Sequence, residues 1–337
     1  MTAKEQYRLF CESAGPQVPL FQQYWWMETV CRGKQWDVAL AFDGDWLSGA
    51  MPYHYGKKRG VSFVLQPQLT QYSGPLYLYP DGLSESRRLE FETTVARQLL
   101  AQVEARKPAV FLQSFAPGVT NWLPYYWAGF RQTTRYTYRI EDISDPDRLL
   151  EQFDRQKRQR KIHRFAHSTT TRFDMEPADF ARFHRQYWLQ RGQKDLLDSD
   201  FVEHVCREAI GRGQGVIASL HDGDGNLLAA RFAAYDSRCA YSLMSALDVD
   251  RHRSGHSECL FWTLMQHLAD KSCAFDFEGS MDEGIEYFYR SFGAVQTPYF
   301  QISKYRNLLF ELLIRKKNRS LGWHANALAI GGFPVVY

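Results

Sequence analysis

Two stretches of the sequence decide the fold: Val38-Ala-Leu-Ala-Phe-Asp43-Gly44-Asp45, which continues to Ala50, and Ile217-Ala-Ser-Leu-His-Asp222-Gly223-Asp224, which continues to Ala230. In each stretch an Asp-Gly pair separates two apolar runs. This pattern is the strongest short-range signal for a β-hairpin, because the turn needs positive φ angles. Since the same pattern occurs twice, we infer that the chain contains a duplicated unit.

A second pair of matching segments extends the repeat beyond each hairpin. Ala109-Val-Phe-Leu-Gln113 precedes Gly129, and Ala274-Phe-Asp-Phe-Glu278 precedes Gly293. Each half therefore predicts the order helix, hairpin, longer strands, helix, strand, helix and strand. This order is typical of a mixed α/β fold in which helices pack on a mostly antiparallel sheet. We expect Gly293 at a turn with positive φ.

The composition excludes several classes of protein. The chain has 337 residues, of which 45% are hydrophobic and 23% charged, and its formal net charge is +3. These values are ordinary for a globular protein, and they exclude disorder, collagen-like repeats and a coiled-coil rod. We find no apolar run typical of a signal peptide or a membrane span, and no Cys or His pattern typical of a metal site. The sequence therefore predicts a cytoplasmic protein without a bound metal.

Three further segments identify a family that the chain resembles. They are Tyr136-Thr-Tyr-Arg-Ile140, Phe275-Asp-Phe-Glu-Gly-Ser280 and Phe288-Tyr-x-x-Phe-Gly-Ala294. Together with the order of elements, they resemble the Fem-type (FemABX-like) peptidoglycan aminoacyltransferases. The resemblance implies an α+β fold with two tandem GNAT-like (acyl-CoA N-acyltransferase) domains, each a mostly antiparallel sheet flanked by helices. It places the first domain at residues 1–138, completed by 311–337, and the second at 139–310.

The resemblance also implies a function. It predicts an enzyme that transfers an acyl or aminoacyl group to an amine on a small molecule or a precursor of the bacterial peptidoglycan. The donor is acyl-CoA or aminoacyl-tRNA, used as a co-substrate, and no tightly bound cofactor is expected. The alternative is a non-catalytic binding protein that kept the fold after losing its donor site. The sequence leaves the donor, the acceptor and the oligomeric state open.

Two basic segments suggest partners, and each has a plainer interpretation. Residues 155–167 form either a face that binds the phosphates of a tRNA acceptor stem, of coenzyme A or of a nucleotide-linked acceptor, or a solvated helix face. Residues 308–317 are apolar and then basic, which is typical of peripheral contact with a membrane surface. The alternative there is a helix that packs on the first domain.

The turn before the helix that starts near residue 256 is the candidate donor site. It follows the strand Cys239–Leu247, and the free N–H groups of a helix N-terminus bind anions. The resemblance places the pyrophosphate of the donor at this turn. The candidate donor-binding residues are therefore Arg251, Arg253, Ser254, Gly255, His256 and Ser257. The alternative is a well-capped helix with a basic turn.

Asp276 and Glu278 are candidate catalytic residues. Side chains alternate along a strand, so both carboxylates are expected on one face. Phe275 and Phe277 beside them should raise a carboxyl pKa, which suits a general base that accepts a proton from an amine. The alternative is that these carboxylates bind the backbone N–H groups of their own loop.

The third catalytic candidate is Lys304. The resemblance places it near the transferred acyl group, where an ammonium stabilises a developing oxyanion. The alternative is an exposed lysine at a strand end. The candidate substrate-binding residues are Tyr72, Gly74, Arg191, Tyr241 and Tyr289. For two of them a structural role competes, since Gly74 suits a plain turn and Arg191 suits a helix C-terminus.

Overall fold

A computed structural model describes residues 1–58, 60–192, 197–279 and 281–306. These residues form two compact units, in which the first comprises residues 1–135 and 298–306 and the second comprises residues 136–297. The predicted C-terminal completion of the first domain, 311–337, lies outside the described residues. No helix among the described residues has both the length and the apolarity to cross a membrane.

The elements follow one another in the predicted order. From the N-terminus to residue 127 they are α1 (Ala3–Ala14), α2 (Tyr24–Val30), β1 (Trp36–Asp43), β2 (Trp46–Lys58), β3 (Val61–Leu65), β4 (Leu76–Tyr77), α3 (Glu85–Ala105), β5 (Val110–Ser114) and α4 (Leu123–Trp127). After them come β6 (Arg131–Ile140), α5 (Pro146–Gln152), α6 (Arg160–Ala166), β7 (Thr169–Arg172), α7 (Pro177–Gln190), α8 (Ser199–Gly211), β8 (Gly215–Asp222), β9 (Leu227–Tyr235), β10 (Cys239–Leu247), α9 (His256–Leu268), β11 (Ala274–Asp276), α10 (Glu283–Arg290) and β12 (Val295–Tyr305). Short 3-10 helices precede α2, and a π-helical turn, Arg155–Gln159, precedes α6.

The sheet of the first unit has the strand order β1-β2-β3-β5-β12, with β4 beside β2. Only the β3–β5 pair is parallel, and the other neighbours are antiparallel. Helix α3 covers this sheet, and its Gln98 and Gln102 side chains bond to the backbone of β1 at Phe42 and Leu40. The apolar side chains of α3 and the sheet form one core, in which Leu99 is fully buried.

The sheet of the second unit repeats this pattern. Its strand order is β8-β9-β10-β11-β6, with β7 added at the edge beside β8. The β10–β11 pair is parallel, and all other neighbours are antiparallel. Helix α9 is hydrophobic on most of its surface and packs into a core with the sheet and α10, and Leu264 at its centre is fully buried. The predicted mixed fold with mostly antiparallel sheets is confirmed.

The last strand of each copy of the repeat begins in one unit and ends in the other. Strand β6 ends the first copy, yet Ile140 pairs with Phe275 of β11. Strand β12 ends the second copy, yet Gln301–Tyr305 pair with Val110–Ser114 of β5. Residues 298–306 therefore lie in the first unit, whereas the sequence placed them in the second domain. Gly293, at the turn before β12, has the predicted positive φ of +73°.

Candidate active site in the second unit

A cavity of about 390 Å³ opens in the second unit. It is lined by side chains from α7, β9, β10, α9 and α10 and by the loop that follows β11. Its volume falls within the range of about 300–1,000 Å³ that small-molecule sites occupy. Of the residues predicted from the sequence, Glu278, Ser257 and Tyr289 line it.

Glu278 is the most constrained of these residues. Its side chain is buried, and its Oε1 atom has no hydrogen-bond partner among the described residues. Burial raises the pKa of the Glu278 carboxyl well above its ordinary value, and the nearby charge of Asp276 raises it further. Its φ of +58° lies in the left-handed region, which costs a residue with a side chain about 1–3 kcal/mol and often marks a functional position.

Asp276 stabilises this loop by a hydrogen bond and does not line the cavity. Its Oδ1 atom accepts hydrogen bonds from the Glu278 N–H at 2.8 Å and from the Thr137 hydroxyl at 2.5 Å. Strand β11 ends at Asp276, and the left-handed backbone at Glu278 then turns the chain out of the strand. The expectation that both carboxylates share one strand face is therefore wrong, and the carboxylate of Asp276 binds its own loop.

Arg231 was not predicted from the sequence, yet it is the one cation among the described residues that line the cavity, histidines aside. It lies in β9, where its Nη1 donates to the Ser242 hydroxyl at 2.6 Å and its guanidinium lies 3.7 Å from the ring centre of Phe261. Burial lowers the pKa of Arg231 to about 10. A charged residue inside the apolar run Leu228–Tyr235 was the signal that could have identified it.

Aromatic rings form much of the cavity wall. Tyr289 packs against Phe277 with 4.9 Å between ring centres, and burial raises the pKa of the Tyr289 phenol. On the opposite element α7, Trp188 donates from its indole N–H to Nε2 of His184 at 3.1 Å. Glu278 and Arg231 are both buried, and electrostatic interactions are stronger for buried groups than for groups in bulk water.

The predicted donor turn is bonded mostly to itself. The Gly255 N–H donates to Glu258 Oε2 at 2.9 Å, and the Arg253 N–H donates to Nδ1 of His256 at 3.1 Å. Arg251 pairs with Asp248 at 3.0 Å. The turn is thus a well-capped helix start, the alternative interpretation that the sequence left open. Its donor-binding role stays a prediction.

The side chains of this turn make further internal contacts. Ser254 accepts a hydrogen bond from Lys161 at 2.6 Å, and the Arg253 guanidinium donates to the carbonyl of Asp250 at 2.7 Å. Ser257 bonds to His252 at 3.0 Å and lies at the cavity. Burial lowers the pKa of His252 and of His256.

One arginine of the basic segment is buried rather than solvated. Arg158 Nη1 donates to Glu258 Oε1 at 2.6 Å, both side chains are buried, and Lys161 contacts the same oxygen at 2.9 Å. Two cations thus surround the carboxylate at the start of α9. Arg155 and Arg160 of the same segment are exposed.

Lys304 lies in the first unit, near the end of β12. Its ammonium donates to the carbonyl of Ala128 at 2.8 Å and pairs with Glu104. It lies beside a cavity of about 250 Å³ that Phe111, Phe130 and Arg306 also line. The catalytic role of Lys304 stays a prediction.

The remaining candidates are spread over both units. In the first unit, Tyr72 packs edge-on against Tyr299, and Gly74 occupies a turn with a φ of +89° where a Cβ atom would lie 2.2 Å from Phe115. In the second unit, Arg191 donates to the Tyr187 hydroxyl at 2.7 Å at the end of α7. Tyr241 is buried in β10, and it is not among the residues that line the cavity. No group of three or more His, Cys, Asp or Glu side chains in the described part of the chain could hold a metal ion.

Comparisons with known proteins find a family match within the second unit. Residues 153–289 match the model of the acetyltransferase (GNAT) domain, and this segment contains Arg231, Glu278 and Tyr289. No curated protein matches the chain in sequence.

Solved structures extend the likeness to both units. A crystal structure of FemX has a TM-score of 0.67 and 12% identity, over 93% of this chain and 98% of FemX. L-PGS from Bacillus licheniformis has a TM-score of 0.59 and 17% identity, over 94% of this chain and 96% of that one. A tandem GNAT protein from the clavulanic acid biosynthesis pathway has a TM-score of 0.52 and 10% identity, over 90% of this chain and 95% of that one. The predicted resemblance to the Fem-type and tandem GNAT proteins is therefore confirmed at the level of the fold.

Proposed function

We propose that the protein is an acyltransferase that uses the cavity of the second unit to join an activated carbonyl to an amine. The observation that carries the proposal is the buried carboxylate of Glu278, whose Oε1 atom has no hydrogen-bond partner among the described residues, in a cavity within the GNAT-matched segment. A carboxyl with a raised pKa is a stronger base than an exposed one, which suits proton abstraction from an amine.

In the proposed reaction, the nitrogen of the acceptor attacks the carbonyl carbon of the donor. A new C–N bond forms, the bond to the leaving thiolate or alkoxide breaks, and Glu278 takes the proton that the nitrogen loses. That proton then passes to the leaving group. Because Glu278 must be ionised to act, turnover should rise with pH through its raised pKa.

The internal bonds of the 251–257 turn favour a donor other than acyl-CoA. The Gly255 and Arg253 N–H groups bond to side chains of the turn and helix start, so neither is free to bind the pyrophosphate of acyl-CoA. Of the two donors predicted from the sequence, we therefore favour aminoacyl-tRNA. The likeness to FemX and L-PGS supports an acceptor that is an envelope precursor.

The test is a transfer assay with purified protein and radiolabelled donors, in which aminoacyl-tRNA and acetyl-CoA are each offered with a panel of amines and muropeptide precursors. We expect product with aminoacyl-tRNA and a loss of turnover on the order of 10²–10⁴ in Glu278→Gln, the typical contribution of a general base. The matched control is Glu151→Gln, which changes an exposed carboxylate of α5. Absence of transfer with every pair would support the binding-protein alternative, and full turnover in Glu278→Gln would remove Glu278 from the mechanism.

A further inference from the structure

Arg231 is a buried cation for which the described part of the chain offers no carboxylate partner. Its side chain is 9% exposed, and no Asp or Glu lies within ion-pair distance of it among the described residues. Nη1 is satisfied by Ser242 and one face of the guanidinium by Phe261, but Nε has no hydrogen-bond partner in the described part of the chain. A buried guanidinium in this state is costly, because desolvation is compensated only by a hydroxyl and a ring.

The charges of the cavity define the group that would complete it. Arg231 contributes one positive charge, and a single guanidinium matches a monoanion with two oxygen atoms in a plane. A phosphate dianion would need further cations, and the other described charged residue of the lining is the carboxylate Glu278. The remaining walls combine aromatic and apolar side chains with uncharged polar ones such as Ser245 and Ser257, which suits a side chain without charge.

We infer that Arg231 binds a carboxylate of the acceptor, so that the cavity selects a molecule carrying both an amine and a carboxylate, such as an amino acid or the end of a peptide. The inference rests on the proposed function, since it adds a second contact to the same acceptor whose amine Glu278 deprotonates. It makes Arg231 a specificity-determining residue. The pKa of Arg231 is lowered to about 10 by burial, which agrees with a guanidinium that has no carboxylate beside it among the described residues.

Binding is measured first, because it does not depend on transfer. The probes are L-leucine and L-leucinamide, which share the amine and the side chain and differ in the carboxylate, together with the same pair for alanine and phenylalanine. Calorimetric titration of the wild-type protein should show tighter binding of the acids than of the amides by about 10- to 100-fold, as expected for a charge-assisted bidentate contact. Equal binding of acid and amide by the wild-type protein would overturn the inference without any variant.

Variants then assign the preference to Arg231. Arg231→Gln should remove it, Arg231→Lys should keep part of it, and Ser242→Ala, which frees Nη1 but keeps the cation, should retain it. Circular dichroism melting establishes that each variant is folded, and Arg207→Gln, which changes an exposed arginine of α8, is the matched control. A preference that survives in folded Arg231→Gln would also overturn the inference.

The outcome separates this inference from the proposed function. If acids are preferred through Arg231 but no donor supports transfer, the inference stands and the catalytic proposal fails. If transfer occurs at the same rate to acid and amide acceptors in wild-type protein and in Arg231→Gln, the proposed function stands and the inference fails.

Discussion

Glu278 holds a conformation that its own chemistry does not favour. The backbone is left-handed, the carboxyl is buried, and the same Asp276 that fixes the loop through the Glu278 N–H places a second negative charge nearby. Each feature lowers the stability of the folded protein, and together they place the Glu278 carboxylate at the cavity of the second unit. We interpret the cost as the consequence of fixing a base in a buried position.

The raised pKa of Glu278 predicts how stability depends on pH. A carboxyl with a raised pKa in the folded state stabilises the protein fully below its unfolded pKa, and this contribution is lost as the pH rises through the folded pKa. Wild-type protein should therefore lose stability from about the ordinary glutamate pKa upward, whereas Glu278→Gln stays neutral and should not. Urea denaturation over a pH series measures the difference, which should grow with pH in favour of the variant.

The control for this prediction is again Glu151→Gln, because the Glu151 carboxylate is exposed to solvent in the folded protein. A difference between wild-type protein and Glu278→Gln that is constant over the whole pH series would contradict a raised pKa. Together with the expected rise in turnover, the prediction is that activity and stability change with pH in opposite directions.

At this scale the sequence could name Glu278 but not its geometry. Alternation along a strand is a local rule, and it fails where the chain leaves the strand at Asp276. Arg231 was missed because its apolar neighbours in β9 were interpreted only as strand formers. Whether a buried charge has a partner depends on Ser242 and Phe261, which β10 and α9 bring to it.

Among the elements, the start of α9 depends on a buried ion pair. Glu258 accepts the Gly255 N–H and pairs with Arg158, so one carboxylate caps the helix and compensates the charge of the π-helical turn before α6. Removing Arg158 leaves the part-exposed Lys161 as the cation that contacts the Glu258 carboxylate, so the charge of Glu258 is compensated less completely. The sequence could predict a capped helix here, but not that residue 158 supplies the partner.

We therefore predict that Arg158→Ala lowers the free energy of unfolding by about 1–3 kcal/mol, since Lys161 still pairs with Glu258 in the variant. The matched control is Arg155→Ala in the same segment, which is exposed and should change stability by less than about 0.5 kcal/mol. Chemical denaturation of both variants measures the effect. Equal stability of the two variants would show that the pair contributes nothing.

The end of β12 provides the test of Lys304. The sequence prediction expects Lys304→Ala to lower turnover by a factor on the order of 10²–10³, as for a lost oxyanion donor. The structure adds a second role, since the ammonium also binds Glu104 and the Ala128 carbonyl. Glu104→Gln removes the ion pair but keeps the ammonium, so it should keep turnover if Lys304 acts on the oxyanion.

Melting temperature and turnover together decide between these roles. A loss of turnover in Lys304→Ala that is absent in Glu104→Gln supports the catalytic prediction. If the melting temperature falls by the same amount in both variants and both keep turnover, the role of Lys304 is to stabilise β12.

For the molecule as a whole, the repeat was visible in the sequence but the exchange of strands was not. The Asp-Gly hairpins are local signals, and β8–β9 and β1–β2 form where they predict. Strand exchange leaves no local signal, because β6 and β12 have the same pattern whichever sheet they join. The sequence therefore predicted two tandem domains but assigned residues 298–306 to the other one.

The exchanged strands predict that the two units unfold together. Strand β6 runs from Arg131 in the first unit to Ile140 in the second, and β12 also passes from one unit to the other. If the sheet of one unit unfolds, the parts of β6 and β12 in that unit lose their hydrogen bonds. The hydrogen bonds of the other parts of β6 and β12 are then weakened. We expect one thermal transition, followed by calorimetry and circular dichroism.

Two core variants, one in each unit, test this coupling. Leu99→Ala in α3 and Leu264→Ala in α9 each remove a fully buried side chain, at a cost of about 2–5 kcal/mol. If the units are coupled, each variant lowers the whole transition, and the calorimetric and van't Hoff enthalpies stay equal. Two separate transitions, of which each variant moves only one, would mean that a strand can cross from one unit to the other without making their unfolding cooperative.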